Sequence, residues 1–249
     1  MAKLKRSGAA YEVCNRGPWT TVEYKEWPDF SLGQTTALTG GAGADFRSGA
    51  LADLLLAPFV GENYHQPEQV HGTRVAAVKK NSCCYRNVDG LLTSRPKQVL
   101  TVLTADCLPI FIKEADNSRW ALVHAGWRGL TAGIVPRTLK KEFKGPVDVL
   151  AGAAISPESY KVGDEVVEAA ASSLGMTVED LVSLEVVQGG GEKYRLDLQA
   201  LLHQQLQISP VCVNSLLCTP LSTDGDLIPL ISYRCQKSKK RMLHWIYRE

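Results

Sequence analysis

From about residue 50 onward, the apolar positions switch between two periods. Leu51, Leu54 and Leu55 recur at helical spacing over 48–59, and Pro58 ends the pattern. Runs rich in β-branched, aromatic and other apolar residues predict strands over 74–78, 99–103, 109–113 and 120–124. Residues 130–143 predict one helix, with Leu130, Ile134 and Leu139 on a face and Lys140 and Lys141 placed to suit the helix dipole. A strand over 147–151 follows, then a helix over 164–174 with Asp164 as N-cap and Gly175 as stop, and a third over 197–206. Residues 211–217 and 230–233 read as strands, and 244–247 as a last apolar segment. Such irregular interleaving predicts an α/β fold of mixed sheets covered by helices rather than a clean βαβ series. Residues 1–45 are less periodic, mixing aromatics with turn residues. Their closing Gly40-Gly41-Ala42-Gly43 run lacks a following Gly-Lys-Ser/Thr and reads as a loop, not a phosphate loop.

Composition narrows the class. With 249 residues, 45% hydrophobic and 22% charged, the chain can build a sizeable core, and no linker divides it, so residues 1–249 are read as one domain. The formal charge of +2 is spread out except at 237–241, which argues against a nucleic-acid face. No uncharged apolar run reaches the roughly 18–20 residues of a membrane span. Glu12 and Asn15 interrupt the N-terminal region before a secretory signal can form, and seven cysteines without repeated spacing do not suggest a disulfide scaffold. The expectation is a cytoplasmic protein with reduced thiols.

Chemistry concentrates at strand ends. His71 lies in Gln69-Val70-His71-Gly72, Cys107 closes Thr104-Ala105-Asp106-Cys107, and His124 opens a turn that runs to Gly129. Two imidazoles and a thiolate are the ligand set of a catalytic zinc with one open position. Spacings of 36 and 17 residues form no local metal motif, so three independently packed residues are the competing reading, and a nucleophilic Cys107 with His124 as base is another. Asp106 is either a carboxylate that orients a ligand histidine or a loop residue. Asp89-Gly90 is either a turn or the source of a general base. Arg128, between Gly126 and Gly129 just before the expected helix, is positioned to meet an anion, unless it is simply an exposed arginine.

The segments Gln69-Val-His-Gly72, Asp89-Gly-Leu-Leu-Thr93, Thr104-Ala-Asp-Cys-Leu-Pro109, His124-Ala-Gly-Trp-Arg-Gly129, Val162-Gly163, Asp197-Leu198, Cys218-Thr219 and Ser232-Tyr-Arg234 with Arg241-Met242 occur in this order. Together they resemble the multicopper polyphenol oxidase (laccase-domain, YfiH) family, with residues 1–68 divergent. The resemblance implies a single-domain four-layer α/β/β/α sandwich and a metal, zinc with copper as the alternative, held by His71, Cys107 and His124. It also implies phosphorolysis of adenosine, inosine and methylthioadenosine, with adenosine deamination beside it. In that frame Gln69 and Arg128 bind substrate and phosphate, and Asp89, Asp106 and Cys107 are the catalytic candidates. A metal- or cysteine-dependent amide hydrolase, such as an editor of peptidoglycan precursors, and a non-catalytic metal-binding protein are the alternatives. Five histidines are too few for a blue-copper site plus a trinuclear site in one chain, which argues against laccase chemistry. The family's N-terminal Thr-Arg-x-Gly-Gly has no counterpart here, because no arginine lies between Arg16 and Arg47. An arginine expected to hold an anion is therefore missing. The family's Gly-Pro-Ala-Ile-Gly-Pro reads Gly152-Ala-Ala-Ile-Ser-Pro157.

Overall fold

A computed structural model describes residues 4–16, 19–37, 64–79, 85–189 and 194–249. The helix expected over 48–59 and the glycine run at 40–43 lie outside the described residues. Strand alternation organises the remainder into two stacked sheets. The larger runs β1 (Arg6–Gly8), β15 (Val213–Cys218), β11 (Val147–Ala151), β9 (Leu108–Glu114), β10 (Trp120–Ala125), β7 (Gly90–Thr93) and β6 (Val75–Ala77). The smaller has six strands, β2 (Tyr11–Arg16), β3 (Trp19–Tyr24), β4 (Phe30–Thr35), β16 (Met242–Arg248), β8 (Val99–Thr104) and β5 (Tyr64–His65). Parallel and antiparallel pairs occur in both, as expected for mixed sheets.

Successive side chains of a strand point to opposite faces, and β10 shows the consequence. Ala121, Val123 and Ala125 join one core cluster with the helices, whereas Trp120 and Leu122 join a second cluster with Val22, Leu32, Leu100, Val102 and Ile246 of the facing sheet. The centre of the seven-stranded sheet is thus buried on both faces, each large apolar side chain adding roughly 1.5–3 kcal/mol of transfer free energy. The helices against it are α1 (Trp127–Thr131), α2 (Ile134–Glu142), α3 (Asp164–Leu174), α4 (Val178–Ser183) and α5 (Leu198–Gln207), with a short α6 (Tyr233–Gln236) elsewhere. A three-stranded sheet of β12 (Lys161–Val162), β14 (Tyr194–Leu196) and β13 (Val187–Gly189) completes this layer.

Three expectations change. The helix over 130–143 is two helices, because Gly133 adopts φ 78° and restarts the chain as the cap of α2. Asp164 is the first residue inside α3 and Gly163 is its cap. Residues 230–233 form no strand: Ser232 Oγ accepts from Cys235 N and turns the chain into α6.

Candidate metal centre

Three connections pass from one sheet to the other at the same rim. Residues 66–74 link β5 to β6, residues 105–107 link β8 to β9, and residues 219–241 link β15 to β16. His71 stands on the first and Cys107 on the second, and His124 sits near the end of β10 beside them. Nitrogen and sulfur atoms from the three side chains lie within 4.8 Å of one another, with Cys107 Sγ 3.8 Å from His71 Nε2. The imidazoles of His71 and His124 meet edge-on, with centroids 4.8 Å apart.

Asp89 builds this corner. Its carboxylate is fully buried, and it accepts from Val70 N at 3.1 Å, His71 N at 2.7 Å and Gly72 N at 2.7 Å. Three successive N–H groups converging on one carboxylate hold His71 in the left-handed region at φ 60°, a conformation costly for a side chain of this size. Asp89 Oδ1 also meets His124 Nδ1 at 3.0 Å, which leaves Nε2 as the free imidazole nitrogen. Glycine at 126 gives the ligands room, since a Cβ there would stand 2.9 Å from His71 Cδ2 and 3.1 Å from Cys107 Sγ.

The electrostatics follow from this packing. Burial alone would push the Cys107 thiol up, but hydrogen bonds and charge from His124 and His71 bring it down to about 6. Burial works against a charged His124 as well. Its hydrogen bonds to Asp89 and Cys107 outweigh that and raise it to about 9. A thiolate and two imidazoles with one fixed tautomer form a donor set that fits a borderline-soft divalent metal in a three-ligand site. Among the described residues this is the one His/Cys/Asp/Glu group that could hold a metal. His65 is engaged by Gln98 and Tyr85, His203 by Leu4 O and Gln207, and His244 by Thr104. None of these three histidines belongs to such a group among the described residues.

The triad opens onto a cleft of about 620 Å³ whose walls include Gln69, Thr104, Tyr160, Tyr233, Arg234 and Arg241. Arg234 reaches Lys161 O at 2.7 Å and lies 5.1 Å over the Tyr160 ring. Arg241 Nη1 clasps the carbonyls of Lys239 and Lys240 at 3.0 and 2.8 Å and lies 5.7 Å over Tyr233. Among the described residues neither guanidinium has a carboxylate partner. Burial, with the nearby Cys107 thiolate adding to it, raises the Tyr160 phenol and keeps it protonated.

The residues singled out from sequence divide into two groups. His71, Cys107, His124 and Asp89 converge. Asp106 lines the cleft at φ 86°, but its carboxylate is spent on Thr223 Oγ1 and Arg234 N, both at 2.7 Å, so the carboxylate orienting a histidine is Asp89 and not Asp106. Asp89 is buried away from the cleft and fully engaged, a poor position for a general base on substrate. Gln69 binds both backbone groups of Leu103, at 2.8 and 2.7 Å, and so fastens the first connection to β8. Arg128 is not just before a helix but inside α1, exposed and stacked 4.3 Å over Trp127, and it is not among the residues lining the cleft. The sequence reading gave no role to Tyr160, Arg234 or Arg241. Ser232-Tyr-Arg234 with Arg241 was visible as a segment, but nothing local shows that it returns to the triad.

A family model described as multi-copper polyphenol oxidoreductase laccase matches residues 50–249. The purine nucleoside phosphorylase YfiH of Escherichia coli (strain K12) is 34% identical over 182 residues, 72% of each chain. A purine nucleoside phosphorylase of Xylella fastidiosa (strain Temecula1) is 31% identical over 191 residues, covering 73% of this chain and 72% of its own. Among solved structures, YlmD from Geobacillus stearothermophilus superposes with a TM-score of 0.78 at 24% identity, covering 97% of this chain and 99% of that one. A Neisseria meningitidis protein reaches a TM-score of 0.79 at 22% identity, covering 94% and 100%. The two structural likenesses establish the shared fold.

Proposed function

Because the chain belongs to the multi-copper polyphenol oxidoreductase laccase family, some of whose relatives are named purine nucleoside phosphorylases, we propose that it cleaves purine nucleosides with inorganic phosphate. Zinc is the metal we assign to His71, Cys107 and His124. The observation that carries this reading is the sharing of one cleft by that triad and two arginines without carboxylate partners among the described residues. An anion entering the cleft gains charge-assisted hydrogen bonds from Arg234 and Arg241 without first breaking an ion pair. These arginines, not Arg128, take the phosphate, and they supply the cation missing from the N-terminal segment. Asp89 fixes the His124 tautomer, and Gln69 and Asp106 tie the first and third connections to the cleft wall. A bound zinc would supply Lewis acidity to a ligand oxygen or to water, which also accommodates adenosine deamination.

A specific observation favours a second reading. Asp89, His124 and Cys107 stand in the order orienting acid, base and nucleophile, with the thiol at about 6, as an amide hydrolase working through cysteine requires. One experiment separates the two. Initial rates on adenosine and inosine are measured with and without phosphate, on zinc-loaded and chelator-treated protein. Phosphate-dependent release of free base that disappears with the metal supports phosphorolysis. Absence of base release in every arm overturns it.

A further inference from the structure

We infer that Tyr160 is a catalytic residue of this site, its hydroxyl donating a hydrogen bond to N7 of the departing purine. This rests on the phosphorolysis reading above. Tyr160 lies between β11 and β12, is only 7% exposed, and its ring belongs to the core cluster shared with Ile155, Val162 and Leu196. The backbone around it is fixed: Tyr160 N donates to Ser156 O at 3.0 Å, and Tyr160 O accepts from Leu196 N at 3.2 Å. A buried tyrosine usually finds a partner for its hydroxyl. This one has no hydrogen-bond partner among the described residues, although the residue lines the cleft. The guanidinium of Arg234 over its ring places it beside the cation assigned to phosphate, and its phenol lies within the electrostatic influence of Cys107, Arg234, Asp106 and Arg128. A rigid, protonated donor in the wall of the cleft that holds the triad, with no acceptor among the described residues, is available to a ligand.

The chemistry identifies the kind of acceptor. In phosphorolysis an oxygen of hydrogen phosphate bonds to C1′ of the ribose, the C1′–N9 bond breaks, and its electron pair enters the purine. The proton carried by hydrogen phosphate ends on the released base. Negative charge therefore develops on the imidazole ring of the purine before that proton arrives, and a donor at N7 is worth more in the transition state than in the bound substrate. A nucleoside already methylated at N7 carries a fixed positive charge there and has no lone pair to accept, so its base leaves without this help.

Tyr160→Phe removes the hydroxyl alone. Because that hydroxyl has no partner among the described residues, the variant should keep the melting temperature and zinc content of the parent, and a variant that failed to fold would contradict the free hydroxyl on which the inference stands. With inosine and phosphate, kcat is expected to fall roughly 10- to 100-fold with little change in the KM for phosphate, while kcat on 7-methylinosine stays within about threefold. Equal loss on both substrates, or no loss on inosine, would overturn the assignment. If the parent protein cleaves neither nucleoside, phosphorolysis itself fails. If it cleaves both and the variant treats them alike, only the role of Tyr160 falls.

Discussion

Asp89 and His124 are joined Oδ1 to Nδ1 at 3.0 Å, and the same carboxylate carries the backbone of His71. One buried side chain thereby positions two of the three proposed ligands, one through its ring and one through its main chain. The link exists because β7 and β10 pair in a register that sets Val123 opposite Gly90, with His124 N donating to Asp89 O at 2.7 Å.

Asp89→Asn should therefore damage metal binding more than its conservative shape suggests. Where the carboxylate accepts from four donors, an amide can replace only one of its oxygens, and its NH2 faces N–H groups. Zinc affinity, measured by competition with a chelator, is expected to fall about 10- to 100-fold. Asp89→Ala should also lower unfolding free energy in urea, since each buried donor left unpaired costs roughly 1–3 kcal/mol. Unchanged affinity in both variants would remove Asp89 from the site.

Gly126→Ala tests the same corner without touching a ligand. The added methyl meets the His71 ring at 2.9 Å and the Cys107 sulfur at 3.1 Å, so the two ligands must part. Weakened zinc binding with a near-native circular dichroism spectrum is the expected result, and a parental affinity would show that the ligands have room to spare.

Legibility in the sequence followed the range of the interactions. The central strands β9, β10 and β11 were readable because their apolar runs are buried on both faces, as in Leu108–Glu114, whereas β1 and β7 were not read as strands. The first strands were not: β2 is an edge strand with no fully buried position, and β3 mixes Thr21 and Glu23 with its apolar residues. His71, Cys107 and His124 could be singled out by their chemistry at strand ends. Asp89 could be singled out only as a candidate base, and its part in holding the ligands is not visible in an Asp-Gly pair until β7 pairs with β10. Arg234 lies 128 positions from Asp106, the residue that anchors its backbone, and only the third connection between the sheets brings them together.

The choice between arginines is measurable as a split in Michaelis constants. Arg234→Gln and Arg241→Gln should each raise the KM for phosphate about tenfold or more, the equivalent of losing one charge-assisted hydrogen bond of roughly 1.5–3 kcal/mol. The KM for the nucleoside should move less. Arg128→Gln should change neither, and a selective phosphate defect there would return the anion site to α1.

Acid stability has an identifiable contributor far from the cleft. Glu23 is nearly buried, which by itself would raise its carboxyl, but Arg16 Nη2 at 2.9 Å and Lys25 at 3.6 Å hold it below the usual value of 4.5. A carboxyl depressed in the folded state stabilises the protein above its unfolded pKa, and the contribution is lost as the pH falls through the folded value. Glu23→Gln should accordingly lower stability at pH 7 by roughly 1–3 kcal/mol and give a shallower loss below pH about 4.5. Parallel acid-unfolding curves for parent and variant would contradict the pairing.

The thiol of Cys107 provides the most direct reading of the triad in metal-free protein. Burial opposes its ionisation, yet the two imidazoles bring it to about 6, whereas an ordinary cysteine titrates near 8.5. Alkylation by iodoacetamide, followed site by site by mass spectrometry, should therefore rise for Cys107 with a midpoint near pH 6. The buried thiol of Cys218 is raised to about 12 by its apolar surroundings and should stay unmodified over the same range, which makes it an internal control. His124→Ala removes the imidazole that supplies most of the depression, and the Cys107 midpoint should move upward. Zinc should protect Cys107 in the parent at every pH where the metal stays bound, because the sulfur lone pairs are then engaged. A midpoint above pH 8 in the parent, or full alkylation in the presence of saturating zinc, would separate Cys107 from the histidines and with it dissolve the three-ligand site.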